Sequence, residues 1–453
     1  MSKPHPNYIS TTNACKLCRP LGACLAFKGI EGAVPYLHGS QGCATYMRRY
    51  IISHYNEPID IASSSLSEKN AIYGGGPNLK LGLTNVAAKY RPALIGIATT
   101  CLTETIGDDV ARYLHEYAKD TEGSEGMPDF VHVASPSYSG THIEGFHGAV
   151  QAVIAQRAAG GPQTKTVNLL PGLVSSADYR LLHEIMTDFG LSYTMLPDLS
   201  ETMDGPALLE YEKVASGGTP LAAISAMGCS QATVEFSRTI SKGLSGALTL
   251  EDKFKVQRHQ LGMPIGIEET DRFFALLSAV SGQPMPEKYQ KERGRLVDAY
   301  VDGHKYVFGK KAIVYGEEDL VIGLTAFLAE IGVMPVLCAS GGTSGKLAAA
   351  IAEVTDGILA EQPDVHEGAD FFDIAELAES LEPDVLVGHS KGYPLARKLG
   401  IPLIRVGFPI HDRVGGQRIL HLGYRGAQQL FDSVTNALIA KKQEDSPVGY
   451  SYM

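Results

Sequence analysis

Cys18 stands in Cys-Arg-Pro-Leu-Gly-Ala, Cys43 ends His-Gly-Ser-Gln-Gly-Cys, and Cys101 opens Cys-Leu-Thr-Glu-Thr-Ile-Gly-Asp-Asp after two threonines. Thiolate is the metal-binding form of cysteine, and thiolate-rich ligand sets select zinc or iron–sulfur clusters. Each of the three lies where a glycine-rich or strand-ending segment can bring backbone close to a bulky, sulfur-bound ligand. Held from one side by such loops, an iron–sulfur cluster would make this an electron-transfer protein.

Cys101 follows the apolar run 93–100 and precedes a helical pattern through Asp108 to Lys119. In open parallel sheets, ligands gather at the carboxyl ends of strands. A helix N-terminus there presents unpaired N–H groups and positive potential, which favour thiolate. The loop Gly39-Ser-Gln-Gly42 leads into a helix expected to begin near Cys43. Gly39 and Gly42 permit close backbone approach. Tyr46, Tyr50 and His54 then share a helix face with Cys43. Cys18 precedes Pro20 and Gly22, read as a turn with the same permissive backbone. Three buried structural thiols are the competing reading, since free cysteine is among the most buried residue types. Cys15 and Cys18 form a C-x2-C pair, but Cys24 and Cys43 do not supply the second pair a structural zinc site needs. Three thiolates leave a four-iron cluster one ligand short, which implies a fourth ligand or a cluster shared with a second chain.

The elements that must position these residues alternate between short apolar runs and longer amphipathic segments. Strands are expected at 93–100, 166–171, 220–225, 311–315, 334–338, 384–388 and 403–406, with a helix over 319–331. That pattern predicts an α/β fold: parallel sheets covered by helices, in three Rossmann-like layers. The polar linker 158–164 and the charged stretch 287–294 divide the chain into an N-terminal domain over 1–160 carrying the cysteines, a second over 161–300 and a third over 301–453. Gly341-Gly-Thr-Ser-Gly345 looks like a phosphate loop but lacks the Gly-Lys-Ser/Thr ending, and is read as a turn. Cys229, Cys338 and His389 are read as core or loop residues rather than ligands.

Composition narrows the function classes. A chain of 453 residues with 44% hydrophobic content can bury several cores. Its net charge of −11 argues against a nucleic-acid surface, which needs clustered Lys and Arg. No stretch reaches the ~18 apolar residues of a membrane helix, and residues 1–7 lack the pattern of a secretory signal. A cytoplasmic protein is expected, in which seven cysteines are not a disulfide framework.

In their order along the chain, Cys18-Arg-Pro-Leu-Gly-Ala23, His38-Gly-Ser-Gln-Gly-Cys43, Glu57-Pro58, Ser63-Ser-Ser65, Thr99-Thr-Cys101, Ile106-Gly-Asp-Asp109, Ser135-Pro-Ser-Tyr138, Gly140-Thr-His142, Gly407-Phe-Pro409 and Gly423-Tyr-Arg-Gly426 resemble the β-type subunit of the nitrogenase component 1 superfamily over nearly the whole chain. The resemblance implies three α/β domains around a shallow cleft, paired with an α-type subunit in an α2β2 heterotetramer. It implies that Cys18, Cys43 and Cys101 supply half the ligands of an 8Fe-7S P-cluster at the αβ interface, with a 4Fe-4S cluster as the alternative. Ser137 matches a serine whose oxygen can join an iron of the oxidised cluster, although a turn hydroxyl beside Pro136 would explain it equally. Tyr46 matches a tyrosine between that cluster and a catalytic iron–sulfur cofactor held by the α-type subunit. Tyr73 and Ile106 fall where the β-type surface meets an ATP-dependent iron protein; for Ile106 packing is an equal explanation. The resemblance places no catalytic residue in this chain.

Among family members, Leu21 in Pro-Leu-Gly-Ala and the segment from Cys43 to Tyr50 look closer to divergent branches than to dinitrogen reductases. The full set of three cysteines plus Ser137 favours a multi-electron reductase over a cofactor-assembly scaffold. The expected activity is therefore carbon–sulfur bond reduction of methylthio-alkanes. The scaffold and the true dinitrogen reductase are the alternatives.

Overall fold

The computed structural model describes residues 15–448 apart from 124, 125, 209 and 211. The signal-peptide reading of residues 1–7 falls outside them. Among the described residues, thirteen strands form three sheets, and every strand pair is parallel. The first contains β1 (Ala33–His38), β2 (Ala62–Ser63), β3 (Leu94–Thr99) and β4 (Asp129–Val133), in the order β2-β1-β3-β4. The second contains β5 (Val167–Leu170), β6 (Tyr193–Met195), β7 (Ala232–Phe236) and β8 (Gln257–Leu261), in the order β6-β5-β7-β8. The third contains β9 (Lys311–Gly316), β10 (Met334–Ser340), β11 (Asp364–His366), β12 (Val385–Gly388) and β13 (Leu403–Arg405), in the order β11-β10-β9-β12-β13. The central strands β1, β3, β5, β7 and β12 are buried along their whole length. Such runs read as continuous apolar segments because helices cover both sheet faces.

Three expectations fail locally, two of them in the second and first sheets' connections and one at Pro20–Gly22. Residues 220–225 were expected as a strand and form the helix Leu221–Ala226. Pro220 sits at its N-cap, and the following Leu-Ala-Ala is a good helix former. The strand of that layer is β7, which starts twelve residues further on, at Ala232. The helix expected through Asp108 to Lys119 is two helices, Cys101–Ile106 and Val110–Asp120. Gly107 breaks it with a positive φ of 74°, and the Asp109 side chain caps the second helix by accepting from the Arg112 N–H at 2.9 Å.

The contact that matters most for the cysteines is the crossing of helices Arg19–Lys28 and His142–Arg157. A Cβ on Gly22 would lie 1.6 Å from the His142 carbonyl oxygen, and one on Gly145 would lie 1.8 Å from that of Arg19. The two helices thus meet backbone to backbone at glycines. On the inner side, the Phe27 ring fills the space over β3 that the bare Cα of Gly96 leaves. Burying a side chain of that size contributes about 1.5–3 kcal/mol. Pro20 and Gly22 therefore belong to a helix, not to the expected turn, and Gly22 serves helix packing rather than a cluster. No helix among the described residues is long and apolar enough to cross a membrane.

Candidate metal centre

Cys18 is the N-cap of helix Arg19–Lys28, Cys43 lies in the first turn of helix Gln41–Tyr55, and Cys101 is the first residue of helix Cys101–Ile106. All three are free and partly exposed. The fold brings them together. Burial pushes the Cys18 thiol up, the Ser137 hydroxyl opposes this by hydrogen bonding, and the nearby Cys101 and Cys43 raise it further. Ser137 also donates its backbone N–H to Cys101 Sγ at 3.2 Å, and Ser40 Oγ donates to Cys43 Sγ at 3.5 Å. Ser137 thus touches two of the three sulfurs.

The neighbours of these loops explain why the quoted motifs carry the residue types they do. His38 is fully buried at the end of β1. Its Nδ1 pairs with Ser64 Oγ and its Nε2 with Asp108 Oδ2, both at 3.0 Å. Asp108 also accepts the Gly75 N–H and the Tyr113 hydroxyl, at 3.1 Å each. The His38 carbonyl accepts from Thr103 Oγ1 at 2.9 Å, within the helix that Cys101 begins. The strand that leads to Cys43 is therefore pinned to the helix that carries Cys101. Ser135 fastens the third segment, donating its backbone N–H to Thr99 Oγ1 at 2.9 Å and its hydroxyl to the Thr99 carbonyl at 2.8 Å. Gly39 is packed directly on Thr100, 2.2 Å from a would-be Cβ to Oγ1, whereas Gly42 faces open space with only Ser40 Oγ near at 3.8 Å. Of the two loop glycines, only Gly42 leaves room for a ligand.

Other expectations resolve differently. Cys15 turns away from Cys18 into the core of the third sheet, 3.8 Å from His389 Nε2, and burial pushes its thiol up to about 12. The C-x2-C pair is thereby split, which removes the zinc reading. Among the described residues no three His, Cys, Asp or Glu groups converge tightly enough for a single metal ion. Cys24 is fully buried. His54 keeps its place on the Cys43 side of the helix, but the loop at Phe408 covers it. It is buried, and its Nδ1 accepts the Ile410 N–H at 2.9 Å; its ring stands edge-on to Phe408. Tyr46 lies one turn after Cys43, 41% exposed, with its ring 4.7 Å from that of Tyr50. Burial, Tyr50 and Cys18 all raise its hydroxyl, so it is neutral. Tyr73, 76% exposed beside the exposed Ile72, ends helix Glu68–Tyr73, which packs on helix Cys101–Ile106. Ile106 is the half-buried last residue of that second helix.

Sequence reasoning missed Lys391. It sits in the turn Ser390–Gly392 beyond β12, donates to the Lys16 carbonyl at 3.4 Å, and lies 5.8 Å from the Tyr50 ring centre. Its charge lowers the thiols of Cys15 and Cys18. Nothing in its local sequence signals this, because the contact joins the last sheet to the first helix. The loop 341–345 is a turn, as expected. Ser344 and Gly345 donate their N–H groups to Glu318 and Glu367 at 3.1 and 2.8 Å, so these donors are already taken by carboxylates of the chain.

Three partly exposed thiols on three helix starts, with one serine bridging two of them, can hold a sulfur-bound cluster against one face of the chain. The family model for nitrogenase component 1 type oxidoreductases matches residues 18–439. The nitrogenase molybdenum-iron protein beta chain of Clostridium pasteurianum is 35% identical over 96% of this chain and 94% of its own length. That of Azotobacter vinelandii is 33% identical over 96% and 86%. A solved chain described as nitrogenase Cp1 at pH 6.5 superimposes with a TM-score of 0.95 and 33% identity, covering 100% of this chain and 98% of that one. A second solved chain, described as nitrogenase Cp1 at pH 5, shares the fold alone, with a TM-score of 0.71 and 16% identity. The chain therefore belongs to the nitrogenase component 1 type oxidoreductases, as a β-type subunit.

Proposed function

We propose that this chain is the electron-relay half of a multi-electron reductase, in which Cys18, Cys43 and Cys101 hold one face of an 8Fe-7S cluster shared with an α-type subunit in an α2β2 assembly. The observation that carries the reading is the convergence of the three thiols, with Ser137 in contact with two of them. When bound, such a cluster supplies electron storage and relay between an ATP-dependent iron protein and a catalytic iron–sulfur cofactor in the partner. The chain's own residues do the holding. The hydrogen bonds of Ser137 and Ser40 fix the directions of the sulfurs, and the Lys391 ammonium offsets thiolate charge. Ser137 Oγ is the further oxygen that can reach the cluster, and Tyr46 lies on its flank. Tyr73, together with Ile106, forms the docking surface for the iron protein. The three sheets each fall within one of the segments 1–160, 161–300 and 301–453, which supports reading these as three domains.

For the substrate, we take dinitrogen first. The relatives named above are molybdenum-iron beta chains, and they favour that reading at least as well as the methylthio-alkane one. Leu21, on which the latter leaned, is fully buried within a helix and reports packing rather than substrate. The test is turnover of the purified complex with its iron protein and ATP. Ammonia from dinitrogen is the expected product. Methanethiol from a methyl thioether without ammonia would restore the carbon–sulfur reading. A lone four-iron paramagnetic signal without turnover would indicate an assembly scaffold, with its smaller cluster.

A further inference from the structure

A cavity of about 490 Å³ lies where the three sheets meet, beside the segment Cys15–Arg19; Cys15, Lys16 and Arg19 line it and Cys18, Cys43 and Cys101 do not. It is bounded by residues that follow β4, β7, β9 and β10, so all three sheets direct carboxyl ends at it. That is where ligands bind in parallel α/β folds, and the size suits a small molecule. Two helices of ordinary length, His142–Arg157 and Glu318–Glu330, begin at its wall. Their positive ends favour anions.

The charged lining is unevenly satisfied. Each acid is already engaged by the chain: Glu144 with Thr141 in a capping box, Glu317 with the N–H groups of Asp319 and Leu320, and Glu318 with the Ser344 N–H. The cations are engaged only with neutral acceptors: Arg19 donates to the Ser139 hydroxyl and to the Ser139 carbonyl at 3.4 Å, with Glu144 and Glu104 near enough to act on its charge. Among the described residues, Lys16, Arg19 and Lys346 form no ion pair with a carboxylate; Lys346 donates only to the Ile240 carbonyl, at 2.7 Å. Arg19 Nε is buried without a partner, and so is Nδ1 of His142, a residue only 5% exposed. Burial also raises the carboxyls of Glu317 and Glu318, which reduces the negative charge on the wall. Buried polar groups without partners mark a place where something else supplies the bond.

We propose that this cavity binds a small polycarboxylate, with Lys16, Arg19, Lys346 and His142 meeting its carboxylate groups. The donors come from separate walls, which suits a ligand with several arms. A compact phosphate would want converging backbone N–H groups, and those of the 341–345 loop that face Glu318 and Glu367 are occupied. The site does not depend on the cluster assignment.

The test is equilibrium dialysis of the intact αβ complex against labelled citrate, with inorganic phosphate in parallel. Comparison with variants of this chain separates the site from any in the partner. One citrate per β-type chain is expected, weakening as salt rises. Lys16→Gln should weaken it about tenfold or more, the loss of one charge-assisted hydrogen bond. Lys16→Arg should retain it, and Lys16→Gln with Lys346→Gln should abolish it. Lys16→Gln alone carries the test if the double variant melts early, because among the described residues that side chain makes no hydrogen bond or ion pair and Gln keeps the stem that packs near Gly341. Absence of saturable citrate binding, citrate binding unchanged by Lys16→Gln, or phosphate bound in preference to citrate would each overturn the proposal.

Discussion

Replacing Asp108 with Ala should loosen the Cys43 loop against the Cys101 helix, leaving the Thr103 and Thr100 bonds to the His38 carbonyl as the remaining ties. Asp108 accepts from His38 Nε2 at 3.0 Å, from the Gly75 N–H with both oxygens at 3.1 Å, and from the Tyr113 hydroxyl at 3.1 Å. Tyr113 is partly exposed and can turn to water. The His38 ring is fully buried, and the Gly75 amide lies against it. Two buried donors therefore lose their acceptor, at about 1–3 kcal/mol each. The ring's other nitrogen remains bound to Ser64, so His38 cannot satisfy Nε2 by flipping. A net cost of about 3–5 kcal/mol follows. The assay is chemical denaturation of the αβ complex together with iron content per chain. The D108A complex should unfold at distinctly lower denaturant and carry less iron, whereas D108N, which keeps one acceptor oxygen, should fall between. Wild-type stability and iron content in D108A would refute the idea that this network sets the spacing of the cysteines.

Cys43→Ala should strip or convert the cluster, visible as lost iron and altered cluster spectra. Cys24→Ala, deep in the core, should cost about 1 kcal/mol and leave the iron unchanged. Gly145→Ala would push a methyl to 1.8 Å from the Arg19 carbonyl oxygen; the helices must part, at about 3 kcal/mol, and iron should fall because Cys18 caps one of them. His54 stays neutral in the fold down to about 3, chiefly because it is buried, while an unfolded histidine charges near about 6.5. The unfolded chain then binds the extra proton, so stability should drop as pH falls from about 6.5 towards 3; H54L should flatten that slope while losing about 1–3 kcal/mol from the orphaned Ile410 N–H, as read by denaturation across pH. Tyr73→Glu, on an exposed face, should slow ATP-driven reduction and leave iron content intact; unchanged reduction rates would remove this surface from docking.

The parts of this picture legible in the sequence are those set by local pattern. The buried strands β3, β5, β9, β10 and β12 read as apolar runs because both of their faces are covered, and the three cysteines stood out through the glycines and strand ends around them. Pro220–Ser225 misled for the same reason: a short apolar run does not reveal its period, and proline there caps a helix. Gly22 was legible as a close approach but not as to what approaches, since its partner, the His142 carbonyl, lies 120 residues away along the chain. His54 kept the spacing of an exposed face, yet the loop at Phe408 covers it. His38 and Asp108 were visible inside motifs, but their mutual bond is a product of the sheet order that sets β1 beside β3. Lys391 was invisible, because only the folding of the third sheet against the first helix gives its charge a target.

The central claim is that one iron–sulfur cluster bridges Cys18, Cys43 and Cys101. Iron-edge anomalous diffraction from crystals of the anaerobic αβ complex tests it most directly. The account predicts a single compact group of iron peaks within bonding reach of all three sulfurs, completed from the far side by the α-type subunit. Iron out of bonding reach of any one of these sulfurs, or iron seated between Cys15 and His389 instead, would contradict it.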